Sequence, residues 1–222
     1  MTTVATIDAT VTTPAGASLA RVWRWCVVLF SGALGSEASA AAVDDSDLAD
    51  RQCMERLARG DTHALRPIFD RWKLPLLSYL YRALGSRADA EDLALQVFER
   101  VYRAAPRFRA EARFSTWLFA IARGELLHEL RRRRRKPLEP VAPDELVETG
   151  AAADHTAEIE EHLLAALQQL SERERSAILL AAAGDLDHAG IATALGVSVN
   201  NLNVILHRAR RTLRGLFQKV RP

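Results

Sequence analysis

Apolar residues recur every three or four positions along most of the chain after residue 43, and this spacing predicts α-helices. Few segments alternate apolar and polar residues and β-branched runs are short, so strands are not expected. The row of Ala90, Ala94, Val97 and Val101 is typical, because these positions share one face of a helix. The sequence therefore predicts an all-α protein.

Capping residues and glycines mark where the first helices begin and end. A short helix beginning near Ala49 is predicted to stop at Gly60, and a longer one to start at Asp61 or Thr62. The longer helix should end at a second glycine, residue 85. Pro75 lies inside it and is expected to kink or break it, because its ring removes a backbone hydrogen bond.

Two further helices complete the first half of the chain. Ser86 and Asp89 have capping-box spacing at the start of the third helix. Ser115 or Thr116 is expected to cap the fourth helix, which ends in the run "RRRRRK" of residues 131–136. Pro137 should stop that helix.

Charge is unevenly distributed, although the net charge is only +2. Residues 131–136 and the segment after Asp187 are basic, whereas residues 137–155 hold prolines and only acidic charges besides one histidine. Basic clusters suit a phosphate backbone, although a solvated helix face is the simpler interpretation. The composition predicts two small helical domains, residues 44–136 and 156–222, joined by a flexible acidic linker over residues 137–155.

The C-terminal segment has the spacing of a helix-turn-helix with Gly196 in the turn. Ala192 supplies the small residue where the helices cross, and Ser198 is expected to cap the second helix. Ser171 and Glu174 have capping-box spacing at the start of a preceding helix. An ordinary helical hairpin is the alternative, but the acid-free basic tail favours DNA. The expected inward positions are Ile191, Leu195, Val197 and Leu202.

Residues 1–43 differ in character from the rest. The first 20 are predicted to be disordered, and the short apolar run after Arg21 and Arg24 is compatible with a secretory signal. We favour a misassigned start, with Val43 as the true first residue, because the downstream sequence has the character of a DNA-directed cytoplasmic protein.

Candidate catalytic and metal chemistry is sparse. Cys26 and Cys53 form neither a CxxC pair nor a spacing with histidine that suggests zinc. A Gly-rich phosphate loop and the common nucleophile motifs are missing from the sequence. We therefore expect no enzyme activity, no bound metal or cofactor and no small-molecule substrate.

Four stretches, in order along residues ~52–214, carry a family resemblance. They are "SRADAEDLALQVFERVYRA", "RFSTWLFAIARGELLHELRRRRR", "LSERERSAILL" and "IATALGVSVNNLNVILHRARRTLR". With the linker between the second and third, the chain resembles an extracytoplasmic-function sigma factor of the bacterial sigma-70 family. The resemblance implies a region 2 helical bundle and a region 4 helix-turn-helix. It also implies a cytoplasmic protein that binds bacterial core RNA polymerase through the β′ clamp helices and the β flap, binds promoter DNA, and is restrained by an anti-sigma factor.

The resemblance implies three sets of site residues. The acidic start of the third helix would bind core polymerase, although acids there also complement the helix dipole. The loop and fourth helix would capture unstacked bases of the −10 element, and the recognition helix would read the −35 duplex. The core-polymerase set is Asp89, Glu91, Asp92, Leu93, Gln96 and Phe98. The −10 set is Arg109, Arg113, Phe114, Ser115, Thr116, Trp117, Arg123, Arg131 and Arg132. The −35 set is Ser198, Val199, Asn200, Asn203, His207, Arg208, Arg210 and Arg211.

The sequence departs from the family most clearly in the recognition helix. Asn203 and Ile205 stand where a common family form has the lysine and arginine that face DNA, and Gly124 and His128 replace a usual asparagine and a frequent aspartate. Two interpretations follow. In the first, which we favour, asparagines read the bases while arginines hold the backbone. In the second, −35 binding is weak, and Val204 and Ile205 contact a protein.

Two other functional classes remain open from the sequence. One is a free-standing helix-turn-helix regulator that never contacts polymerase, and DNA binding without core polymerase would support it. The other is an inactive sigma-like protein that only binds a partner, which the altered recognition helix motivates.

Overall fold

The structure, a computed structural model, describes residues 40–135, 151–183 and 186–220 of the chain. Over these ranges the predicted all-α class is confirmed, with α-helices and two short 3-10 turns, Thr62–Ala64 and Ala105–Arg107, and no strand. The helices are α1 (Ala40–Ala58), α2 (Leu65–Leu84), α3 (Arg87–Ala104), α4 (Phe114–Arg135), α5 (Ala151–Gln168), α6 (Glu172–Ala183), α7 (His188–Leu195) and α8 (Val199–Val220).

Several predicted helix ends are confirmed by their hydrogen bonds. Ser86 Oγ accepts the backbone N–H of Asp89 at 3.3 Å and so caps α3. Ser171 Oγ donates to the Glu174 carboxylate at 2.6 Å and accepts the Glu174 N–H at 3.4 Å, which completes the capping box of α6. Gly85 ends α2 in the left-handed region, with φ of 75°.

The helix-turn-helix has the predicted turn and caps. Gly196 lies in the left-handed region with φ of 65°, and Ser198 Oγ accepts the Asn201 N–H at 3.3 Å. Asp187 caps α7 by accepting the Gly190 N–H at 2.7 Å. Of the expected inward positions, Val197 is half-buried against the core and the others are buried together with Ala192: Ile191, Leu195 and Leu202.

Two predicted helix starts are wrong, and the helix break expected at Pro75 does not occur. Helix α1 begins at Ala40, before both Val43 and the expected start near residue 49, and α5 begins at Ala151, inside the predicted linker. Both extensions are rich in alanine, the residue with the highest helix propensity. Pro75 does not break α2, because buried Trp72 and Leu76 on either side of it hold the helix in the core. Predictions for residues 1–39 and 136–150, including a signal and the stop at Pro137, lie outside the described residues.

The start of α4 also differs from the expectation. The helix begins at Phe114, whose backbone N–H donates to Asp47 Oδ1 of α1 at 2.6 Å. Ser115 and Thr116, the predicted caps, lie inside the first turn and are buried. A residue distant in the sequence supplies this cap, and local spacing cannot reveal such a partner.

Helices α1–α4 form one group and α5–α8 a second, and the two groups pack against each other. Helix α4 contacts α7, α2 contacts α5 and α6, and the buried apolar residues form one continuous core. Ion pairs also join the groups, since Arg82 lies 3.7 Å from Glu160 and Arg134 lies 4.0 Å from Glu172. The two groups therefore share an interface in this structure.

Among the described residues, no single helix is both long and apolar enough to cross a membrane. The pair His188–Leu195 and Val199–Phe217 passes the length and composition criteria jointly but is bent by 92° between its members.

Candidate functional site

The first turns of α3 present acids at the surface. Glu91 and Asp92 are exposed, and Glu91 forms an ion pair with Arg87 at 2.9 Å. Asp89 is half-buried and lies 2.8 Å from Arg133 at the end of α4. Asp89 therefore pairs with a half-buried arginine of α4, whereas Glu91 pairs with an exposed arginine of its own helix and Asp92 is exposed.

Two predicted core-polymerase residues do not lie on this surface. Leu93 and Phe98 are only 3% and 4% exposed, and the Phe98 ring packs against Phe69 with centroids 4.8 Å apart. Their place is in the core, because they continue the buried face of α3. Gln96 is exposed as expected.

The structure adds Leu95 to the acidic surface. Leu95 is 61% exposed and lies one turn after Glu91, next to Gln96. The buried row that begins at Ala90 and Ala94 indicates its orientation, since residue 95 falls outside that row. An exposed leucine among acids is a surface feature that sequence reasoning missed.

The aromatic residues near the start of α4 form a connected cluster. Phe114 is fully buried against Trp72 and Phe108, with both centroid distances at 6.1 Å. Trp117 is half-buried and contacts Phe108 with ring centroids 4.9 Å apart. The two partly exposed rings, Phe108 and Trp117, can offer a face to a base, whereas Phe114 cannot. The prediction included Trp117 but missed Phe108.

Ser115 and Thr116, also in the predicted −10 set, are buried in this structure. They are 6% and 4% exposed and lie where α4 packs on α7. Gly190 of α7 comes so close that a Cβ atom there would lie 2.7 Å from Thr116 Oγ1. In this arrangement the second helical group covers part of the predicted −10 surface.

The predicted −10 arginines divide into exposed and half-buried side chains. Arg109, Arg131 and Arg132 are exposed, whereas Arg113 and Arg123 are half-buried. Glu129 binds Arg132 at 2.7 Å and also binds the neighbouring Arg133. Part of the positive charge at the end of α4 is therefore already neutralised within the helix.

Replacement of Glu129 by glutamine is expected to remove a pH-dependent part of the protein's stability. Hydrogen bonds from Arg132, followed by those from Arg133, lower the pKa of Glu129 from 4.5 to about 2. Because the folded-state pKa is depressed, this stabilisation is complete above the unfolded-state value and is lost as the pH falls toward 2. Urea unfolding at several pH values should show the free-energy difference between wild type and Glu129→Gln shrinking over that range. A difference that stays constant there would contradict the lowered pKa.

Most of the predicted −35 residues lie on the exposed face of α8. Val199, Asn200, Asn203, His207, Arg208 and Arg211 are exposed, and Ser198 is exposed at the helix cap. Arg210 is half-buried, and burial lowers the pKa of its guanidinium. It lies seven residues after Asn203, on the same side of the helix, so its part in −35 binding stays a prediction.

Ile205 does not occupy a DNA-facing or partner-facing position. It is 8% exposed and packs in the core of the second helical group, beside Leu202 and Leu206. Val204, in contrast, is 48% exposed. The proposed protein contact through Ile205 is therefore wrong, and any altered surface on α8 involves Val204.

Metal ligation has no support in the part of the chain that the structure describes. No group of three or more His, Cys, Asp or Glu side chains there could hold a metal ion.

Two family models match the chain in separate ranges. Residues 68–136 match Sigma-70 region 2, and residues 160–213 match Sigma-70, region 4. The first range contains most of α2 with α3 and α4, and the second contains the second half of α5, all of α6 and α7, and most of α8.

Curated relatives include three proteins named as RNA polymerase sigma factors. The sigma-H factor of Pseudomonas aeruginosa is 29% identical over 176 residues, covering 74% of this chain and 91% of the relative. CarQ of Myxococcus xanthus is 30% identical over 165 residues, covering 74% of this chain and 95% of the relative. The ECF sigma factor SigG of Mycobacterium tuberculosis is 30% identical over 215 residues, covering 84% of this chain but only 56% of SigG.

Two solved structures share the fold. CnrH in complex with the cytosolic domain of CnrY aligns with a TM-score of 0.60 at 24% identity, covering 77% of this chain and 98% of that chain. The sigma factor RpoE of Bartonella quintana, in complex with the anti-sigma factor NepR, aligns with a TM-score of 0.53 at 20% identity, covering 70% and 99%.

Proposed function

Because the chain belongs to the extracytoplasmic-function group of the sigma-70 family and is an RNA polymerase sigma factor, we propose specific surfaces for its contacts with polymerase and promoter. Sigma factors bind core polymerase and promoter DNA, and this is a family of transcription initiation factors that are not enzymes. We assign core binding to α3, −10 capture to the start of α4, and −35 reading to α8.

The proposal that α3 binds core polymerase rests on the exposed acidic face of this helix. Glu91 and Asp92 are exposed with Leu95 beside them, while Leu93 behind them anchors the helix in the core. A leucine surrounded by carboxylates suits a basic helical partner with an apolar recess, because charge complementarity sets orientation and apolar burial adds affinity. The resemblance identifies that partner as the β′ clamp helices.

Reversing the charge of this face is expected to abolish capture of core polymerase. The double variant Glu91→Lys and Asp92→Lys should weaken binding by about 100-fold or more, because like charges replace complementary ones across the interface. Binding of the full chain to purified bacterial core polymerase can be measured by native gel and by fluorescence anisotropy.

A matched double variant controls for net charge. Glu55→Lys and Glu161→Lys change the same total charge at exposed positions on α1 and α5, away from the acidic face of α3. This control should bind core polymerase as the wild type does. Equal binding by both double variants would exclude the acidic face as the contact, and no binding by the wild type would overturn the proposal as a whole.

The proposal for −10 capture rests on the partly exposed rings beside two arginines. Phe108 and Trp117 can stack unpaired bases, and Arg109 and Arg113 lie nearby in sequence to meet phosphates. Ser115 and Thr116 can take part only if α7 moves away from α4, because they are buried beneath it.

The proposal for −35 reading rests on the exposed polar face of α8. Asn200 and Asn203 are of the type that pairs with adenine N6 and N7, and Arg208 and Arg211 are placed to hold phosphates. The competing interpretation of weak −35 binding predicts that holoenzyme activity is insensitive to the upstream duplex sequence.

The proposed partners are bacterial core polymerase, promoter DNA and an anti-sigma factor. RpoE of Bartonella quintana was solved with the anti-sigma factor NepR, and we extend such a partner to this chain. We also propose that the protein acts in the cytoplasm, that it catalyses no reaction itself, and that it needs no cofactor or small-molecule substrate.

A further inference from the structure

One face of α8 is exposed along its first three turns. Asn200, Val204, His207 and Arg211 follow one another at the spacing of a single helix face, and all four are exposed. Val204 lies in the middle of this row with 48% exposure. The opposite face is buried, with Leu202, Ile205, Leu206 and Ala209 in the core.

The charge pattern of α8 indicates a nucleic-acid occupant for this face. The helix contains no acid, and its first turns carry no charge at all. Arg208 and Arg211 follow directly on the exposed side. A phosphate backbone suits the arginines, and the uncharged first turns match the base edges, since the N-terminal residues of a recognition helix contact bases.

An exposed valine among base-reading positions has one natural partner in the major groove. Thymine presents its C5-methyl group there, and it is the only one of the four bases with an apolar group on that edge. The branched side chain of valine strongly prefers one rotamer in a helix, so its methyl groups are already positioned before binding. Val204 therefore offers a rigid apolar contact between two possible hydrogen-bonding side chains, Asn200 and His207.

We propose that Val204 contacts the C5-methyl group of a thymine in the −35 duplex and selects an A·T pair at that position. This inference rests on the proposed reading of the −35 duplex by α8. Val204 acts here as a specificity residue, and Ile205, which is buried, takes no part.

The test removes single methyl groups from the DNA. The full chain is combined with bacterial core polymerase, and the holoenzyme selects promoters from duplexes randomised over the upstream and start-proximal segments. Each thymine of the selected −35 duplex is then replaced in turn by deoxyuridine, which removes only the C5-methyl group. At one thymine we expect binding to weaken about fourfold, the effect of removing one methyl group from an apolar contact.

Variants at position 204 tie that loss to the protein. With Val204→Ala, thymine and deoxyuridine probes should bind equally at the sensitive position. Val204→Thr keeps one methyl group and should retain part of the preference for thymine. Leu74→Ala, which truncates an exposed apolar side chain on α2, should leave the preference at that thymine intact.

Each possible outcome decides the inference. It is overturned if no thymine is sensitive, or if Val204→Ala keeps the wild-type preference for thymine. It is also overturned if Val204→Ala weakens core-polymerase binding without DNA, because the side chain then contacts protein. If the holoenzyme forms but enriches no upstream duplex, the proposed −35 reading fails and the inference with it. If an upstream duplex is enriched but Val204→Ala leaves its sensitivity to loss of the thymine methyl group unchanged, the inference about Val204 fails while the proposed −35 reading stands.

Discussion

The substitution Gly190→Leu is expected to separate the two helical groups and to enlarge the free protein. A Cβ atom at this position would lie 2.7 Å from Thr116 Oγ1 of α4 and 3.3 Å from Leu186 Cδ2, so a leucine cannot fit while α7 stays on α4. Overpacking of this kind costs about 1–3 kcal/mol, which shifts the equilibrium toward separated groups by about 5- to 150-fold. Small-angle scattering should show a larger radius of gyration.

A compensating pair of substitutions tests the cause of this opening. Gly190→Ala should open the protein partly, whereas Gly190→Ala combined with Thr116→Ala should restore the wild-type dimensions, because the second change removes the oxygen that the new Cβ meets. Far-ultraviolet circular dichroism should stay unchanged throughout. Unchanged dimensions in Gly190→Leu would mean that the two groups do not hold this contact in solution.

The contact between α4 and α7 bears directly on promoter recognition. Ser115 and Thr116 belong to the stretch that resembles the family's −10 reader, yet α7 covers them. If they take part in base capture, binding to polymerase must be accompanied by movement of α7. An opened Gly190→Leu protein should therefore bind single-stranded DNA more readily in the absence of core polymerase than the wild type does.

The second large effect is expected at Asp50, where Asp50→Ala should lower the free energy of unfolding by about 2–4 kcal/mol. Asp50 is 2% exposed and accepts hydrogen bonds from Trp72 Nε1 at 2.9 Å and from Arg71 at 2.8 Å. Alanine leaves the buried indole N–H of Trp72 without an acceptor, and that loss is costly. Urea unfolding followed by circular dichroism measures the change.

Two further variants complete this test. One keeps a hydrogen-bond acceptor at position 50 without the charge, and the other is a control at an exposed aspartate. Burial raises the pKa of Asp50, so its ionised form carries a desolvation cost that asparagine avoids. Asp50→Asn keeps an acceptor for Trp72 and should lose less stability than Asp50→Ala. Asp70→Ala breaks an exposed ion pair with Arg66 and should change stability much less than Asp50→Ala does, because solvent screens that pair. An equally small effect of Asp50→Ala would show that Trp72 finds another acceptor.

Much of the candidate site could be predicted from residue types, but not which of the residues are accessible. The resemblance selected the stretch around Asp92, and the structure leaves Asp92 exposed while burying Leu93 and Phe98. A family motif contains both the residues that touch a partner and those that hold the helix in place. Helical spacing separates these two kinds, and applied to α3 it would have placed Leu95 outside the buried row.

The features that could be read from the amino-acid sequence alone are local in origin. The helical class, the capping boxes at Ser86 and Ser171, and the turn at Gly196 depend on residues a few positions apart. Family membership also follows from short ordered stretches, because each carries its own spacing and chemistry. The lack of acids in α8 and the basic residues at its end are likewise evident from the sequence.

The features that join distant parts of the chain are apparent only in the tertiary structure. Asp47 caps α4 from another helix, and packing on both sides holds Pro75 within α2. Gly190 lacks a side chain, which leaves room for Thr116 of α4. Each depends on which helix faces overlap, and no local pattern encodes that. The same reason explains the positions on α8: Ile205 is buried because other helices cover it, whereas Val204 remains exposed for a partner.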